Sequence, residues 1–129
     1  MLLILTTRDR THQLIVLCSW MPMQEDWTQD MRSIQGGADE YILIGESDDG
    51  NCGHNWYTWG NAEFYDYQDS KDNNEEGEVL VDMNDVPIPP YLLDGYERLD
   101  LDDLSKLQFS RFDSSDSSVG CTVSFRRKQ

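Results

Sequence analysis

The stretch "HQLIVLCSW", His12 to Trp20, decides how the rest of the chain is read. In an extended chain His12, Leu14, Val16, Cys18 and Trp20 fall on one side, and Ile15 and Leu17 on the other. Side chains alternate across a strand, so a run that is apolar on both sides needs cover on both. The expectation is a strand inside a sheet. "LLILTT" precedes it as another β run, and Arg8-Asp9-Arg10 between them predicts an antiparallel hairpin.

Working outward, "PMQEDWTQDMRSIQGG" has Pro22 suited to a first turn, and Met23, Trp27, Met31 and Ile34 form a stripe at helical spacing. Gly36-Gly37 ends the helix so predicted. "DEYILIGES" reads as a third strand. "HNWYTWGNAEFYDY" reads as a second hairpin turning at Gly60-Asn61, with Tyr57 facing Phe64 and Trp56 facing Tyr65. "GEVLVDM" is a further strand and "VPIPPYLLDG" is extended. "LDLDDLSKLQ" is a short helix capped by Asp100 and anchored by Leu101, Leu104 and Leu107. In "VGCTVSFRRK", Val119, Cys121, Val123 and Phe125 alternate with polar neighbours, the mark of a half-buried strand.

The sum is an α+β domain: a mostly antiparallel sheet of five to seven strands, two short helices and long acidic loops. Its 129 residues, 38% of them hydrophobic, suit one domain over 1–129 with one core. The acidic segment 66–78 can be mobile. Cys18, Cys52 and Cys121 are odd in number and scattered, which fits reduced thiols and a cytoplasmic protein. "MLLILTTR" lacks the features of a signal peptide, and no run reaches transmembrane length.

Charge separates the function classes. The net charge is −15, and it is segregated. Asp39 to Asp103 carries nineteen acids against Lys71 and Arg98, while the remainder carries six acids and eight bases. Direct binding to nucleic acid needs Lys and Arg to release counterions, and the only basic cluster is Arg126-Arg127-Lys128. An anionic membrane surface is disfavoured for the same reason.

Enzyme chemistry finds little footing. Cys52 and His54, with His12, Cys18 and Cys121, are the candidate zinc ligands, but no CxxC pair nucleates a site. "DNNEEGE" starts like an EF-hand loop with Asp72, Asn74, Glu76 and Gly77, yet Met83 stands where a bidentate carboxylate is required. No nucleophile elbow, phosphate loop or HExxH occurs, and the acids lie in polar surroundings rather than in a raised-pKa cleft. The expectation is therefore no metal, no cofactor and no catalytic residue.

The acids do have a pattern. Glu63, Asp66, Asp69, Asp72, Glu75 and Glu78 recur at every third position, aligned on one edge if the backbone is polyproline-like. DNA carries a phosphate per roughly 1.7 Å of axis, about twenty over the ~36 Å expected for this domain. The net −17 of Asp39 to Asp103 is comparable. Self-repulsion on that scale destabilises a fold, and a cationic partner would relieve it.

The reading that follows is an inhibitor occupying the basic DNA- or RNA-binding cleft of a defence or toxin nuclease. Phage anti-CRISPR and anti-restriction proteins work by this physics, and the likeness lies in charge and length alone. An immunity protein against a toxin nuclease is the near alternative. A halophile-adapted or virion-associated acidic protein is the alternative of another class, favoured by seventeen Asp against three Lys but not by segregation of the acids. The expected contacts are Glu63, Asp66, Asp69, Asp72, Glu75, Glu76 and Glu78, then Asp48, Asp49, Asp100, Asp102 and Asp103. Tyr57, Trp59 and Tyr65 are the candidate aromatic anchors.

Overall fold

A computed structural model describes residues 2–5, 13–47, 52–65, 83, 86–108 and 120–128. Strands β1 (Leu2–Leu5), β2 (Ile15–Ser19), β3 (Glu40–Glu46), β4 (Tyr96–Asp100) and β5 (Gly120–Arg127) form one sheet in the order β1-β2-β3-β5-β4. Helix α1 (Thr28–Ser33) continues into a 3₁₀ turn, Ile34–Gly36. Two single helical turns, α2 (Pro90–Leu93) and α3 (Asp102–Ser105), flank β4. The α+β class holds, but the sheet is mixed. β1 and β2 are antiparallel, as the hairpin reading requires, whereas β2 and β3 are parallel, with α1 in the crossover between them.

The strand interior to the sheet is where the "HQLIVLCSW" reading placed it, with β1 on one side and β3 on the other. Val16 and Cys18 of β2, Tyr41 and Leu43 of β3, Val123 and Phe125 of β5, and Tyr96 of β4 make the core. Tyr41 stacks on Phe125 with centroids 4.7 Å apart, and Tyr96 tilts against Tyr41 at 5.4 Å. Met31 of α1, Cys52 and Trp59 close over this face, and Tyr91 of α2 packs against it. β5 departs from the half-buried pattern. Thr122 and Ser124 are buried along with Val123 and Phe125, because β5 lies between β3 and β4 and its second face is also covered. On that face the side chain of Gln108 donates to the Gly45 carbonyl (2.6 Å) and accepts from the Thr122 hydroxyl (3.0 Å).

Several expected elements are different. The helix begins at Thr28, not Pro22. Trp20 and Gln24 both have positive φ, and Met23 instead bridges to Gly53 in parallel. Of the predicted stripe, Met31 is buried, Trp27 and Ile34 pack against the core, and Met23 is exposed. The second hairpin is absent from the described part of its span. Residues 55–59 form turns, and Ala62–Phe64 is a 3₁₀ turn with the Asn61 side chain accepting from the Glu63 amide (3.0 Å). "PYLL" is a helical turn rather than extended chain. Asp100 ends β4 and caps no helix, because Leu101 occupies the position before α3. Leu101 is half-buried, but Leu104 and Leu107 are 52% and 76% exposed and join no core among the described residues. The strand expected at "GEVLVDM" lies outside the described residues.

The 52–60 segment sits directly on the sheet because two glycines permit it. A Cβ on Gly45 would meet the Cys52 sulfur at 2.9 Å. Gly60 has φ +76°, and a Cβ there would collide with the Tyr91 ring.

Candidate partner-binding face

The functional question is which charges the fold consumes and which it leaves to solvent. Arg32 of α1 is consumed. Its Nε donates to Asp94 at 2.7 Å, and its Nη1 donates to Thr28 Oγ1 (2.9 Å) and Tyr41 Oη (3.3 Å). Burial works against the Arg32 cation, but Tyr41 and Asp94 outweigh it and hold its pKa above the usual value. Asp26 closes the same cluster, accepting from the Thr28 amide (3.1 Å), the Thr28 hydroxyl (2.5 Å) and the Thr58 hydroxyl (3.0 Å). Burial pushes the Tyr41 phenol up, with Arg32 acting in the opposite direction. This cluster joins α1, β3, the 52–60 segment and the turn before β4. Its role is to hold them in register.

Two further arginines are also engaged. Arg126 pairs with Glu40 (3.1 Å), which also accepts from the Ser124 hydroxyl. Arg98 of β4 donates from Nη1 to the Trp59 carbonyl (2.9 Å) and from Nη2 to Asp100 (2.9 Å). Arg98 thereby brings together two stretches distant in sequence, the turn leading to Glu63 and the acidic run from Glu97 to Asp103.

The two stretches also carry exposed carboxylates, and strand alternation sets Glu97 on the sheet face opposite Arg98. Glu63, Glu97, Asp102 and Asp103 are exposed and make no ion pair among the described residues. Asp102 and Asp103 lie in the first turn of α3, where acids suit the exposed amides. Glu97 faces Arg126 across the ladder, but Arg126 is turned to Glu40. Asp100 differs from its neighbours. It already holds Arg98, so part of its charge is used inside the chain.

The expected aromatic anchors divide. Trp59 is 1% exposed, with its indole N–H donating to the Cys52 carbonyl (2.8 Å), so it is a core residue. Tyr57 is 52% exposed, lying against His54 at 4.6 Å. Tyr65 is half-buried, edge-on to Trp56 at 4.9 Å. Exposed Phe64 beside Glu63, and exposed Leu104 and Leu107 beside Asp102 and Asp103, are apolar candidates that the sequence pattern did not single out. Glu97 is a further addition, because "YERLD" carries no strong strand signal. Strand alternation from the buried Tyr96 points it outward.

Asp66, Asp69, Asp72, Glu75, Glu76, Glu78, Asp48 and Asp49 lie outside the described residues, as do His12 and the EF-hand-like segment. Among the described residues no group of three His, Cys, Asp or Glu is arranged to hold a metal ion. His54 Nδ1 accepts from the amides of Trp56 (3.2 Å) and Tyr57 (3.1 Å), and Cys52 is buried beneath Trp59. Burial raises the Cys18 thiol pKa. No described helix is long and apolar enough to cross a membrane. No family model, curated protein or solved structure matches this chain.

Proposed function

We propose that the protein is an acidic inhibitor that occupies the nucleic-acid-binding cleft of a basic nuclease, in the manner of anti-CRISPR and anti-restriction proteins. One observation carries the reading. The fold spends Arg32, Arg98 and Arg126 on internal pairs, while exposed Glu63, Glu97, Asp102 and Asp103 keep their charge unpaired among the described residues. Each such pair is neutral, so the net charge of −15 rests on acids in excess of the cations, and that excess is what a cationic partner would meet.

The division of labour is physical. Clustered carboxylates steer a cationic cleft and raise its association rate, an effect that salt weakens. Tight holding depends on a few desolvated side chains, and exposed Phe64 and Leu104, next in sequence to Glu63 and Asp103, supply them together with exposed Tyr57 and Leu107. The inhibitor makes no bond and needs no cofactor. Its place of action is the cytoplasm in which the nuclease works, and direct contact with nucleic acid or membrane forms no part of it.

The test is a DNA-displacement panel of guide-directed, restriction-type and toxin-type nucleases. Displacement from at least one of them, weakening as salt rises, is expected. A hit confined to a toxin nuclease would make the protein an immunity protein. Failure to displace DNA from every class would overturn the reading.

A further inference from the structure

At the sheet edge away from β4, a pocket of about 310 Å³ opens between α1 and the β1–β2 pair. Val16, Trp27, Met31, Ile34 and Leu2 line it, and Asp30 is its one charged wall. The walls are set by the fold. Val16 and Met31 belong to the buried core, and the Trp27 indole N–H donates to Glu25 at 3.0 Å. Leu2 is 44% exposed, and Asp30, also exposed, has no side-chain partner among the described residues. An apolar cavity of this size with one charged group at its wall is built to hold an apolar group in a fixed orientation.

We infer that this pocket receives an apolar side chain of the partner protein, carried on a basic segment whose Lys or Arg meets Asp30. This rests on the inhibitor reading for the partner's basic character. The occupant follows from charge: no basic side chain among the described residues lines the pocket, Asp30 lines it with Glu25 bonded to its Trp27 wall, and the chain's net −15 repels an anionic group. An aliphatic side chain supplies the apolar contact and a neighbouring cation supplies the orientation. The pocket is thus a point of contact separate from Glu63, Glu97, Asp102 and Asp103, none of which lines it.

Methyl NMR of the full chain tests it without the nuclease. The probe is acetyl-Lys-Leu-Lys-amide, with acetyl-Lys-Ser-Lys-amide and acetyl-Glu-Leu-Glu-amide as controls. Saturable shifts at Val16, Met31 and Ile34 are expected with the Lys-Leu-Lys peptide, and at least several-fold weaker binding with either control. Asp30→Asn should weaken binding by about two- to fivefold, within the range of an exposed ion pair. Leu2→Trp should abolish the saturable shifts by filling the mouth. Equal binding of the serine or glutamate peptide, or an unchanged titration with Asp30→Asn, would overturn the proposal. Asp30 is a surface position, so that variant keeps the test valid should Leu2→Trp fail to fold. The titration is independent of the nuclease panel: a silent panel with these shifts removes the inhibitor reading alone, and a displaced nuclease without them removes the pocket.

Discussion

The cluster around Arg32 and the exposed acids of the two stretches that Arg98 joins use the same side-chain chemistry to opposite ends. In the first, Arg32, Asp26, Thr28, Thr58 and Tyr41 interlock, with every cited hydroxyl and carboxylate engaged and the arginine almost fully buried. In the second, Glu63, Glu97, Asp102 and Asp103 face water without ion pairs among the described residues. Low dielectric and complete pairing turn charge into a structural joint, whereas exposure leaves it as a field. One arginine separates the two regimes. Arg98 is mostly covered, yet it holds the half-exposed Asp100 and the Trp59 carbonyl together.

The difference can be broken most sharply at Arg32. Arg32→Met removes the donors to Asp94, Thr28 and Tyr41 and should destabilise the fold by about 3 kcal/mol, read from the urea midpoint. Loss below about 1 kcal/mol would show that the cluster is not a joint.

Gly60→Ala comes next. Its φ of +76° and the collision of the added methyl with the Tyr91 ring should together cost about 2 kcal/mol. The same urea titration measures it.

Alkali probes the buried side of the comparison from another direction. Tyr41 has its folded pKa raised, chiefly by burial, so the stability it contributes is complete below the unfolded value of about 10 and is lost as pH rises beyond it. Thermal midpoints should therefore fall above about pH 10, and Tyr41→Phe should flatten that limb. Cys18, also raised by burial, adds to the loss with the same sign, so a residual slope in the Tyr41 variant is expected.

The exposed acids should barely register in stability. Glu63→Gln with Asp102→Asn and Asp103→Asn should shift it by no more than about 0.5 kcal/mol, since none of these side chains has an ion-pair partner among the described residues. A large loss would mean that these acids serve the fold.

The sheet was legible where alternation was strong. "HQLIVLCSW", "DEYILIGES" and "VGCTVSFRRK" all contain strands, because β-rich apolar runs admit little else. The parallel pairing of β2 with β3 was not legible, since it depends on where α1 packs rather than on either strand's own residues. The hairpin expected at 54–67 is absent from the described part, 54–65, for a local cause. His54 Nδ1 takes two amides, and Thr58 Oγ1 accepts from the His54 amide (2.9 Å), so side chain–backbone bonds win over the β propensity of the aromatics. β4 was hidden because the Leu-Asp alternation of "RLDLDDL" also fits a helix start, and only the pairing with β5 decides it. The acids of the candidate face were visible in composition. That Arg98 clasps two stretches of them was not, because the contact joins residues 39 positions apart.

The central claim is that these carboxylates are held for a cationic cleft. It is tested most directly by association kinetics with a nuclease from the displacement panel, at about 50 and 200 mM salt. The account predicts fast binding that slows at the higher salt, and a several-fold slower, less salt-dependent rate for Glu63→Lys with Asp102→Lys and Asp103→Lys. An unchanged rate for the charge-reversed protein at both salt concentrations would contradict it.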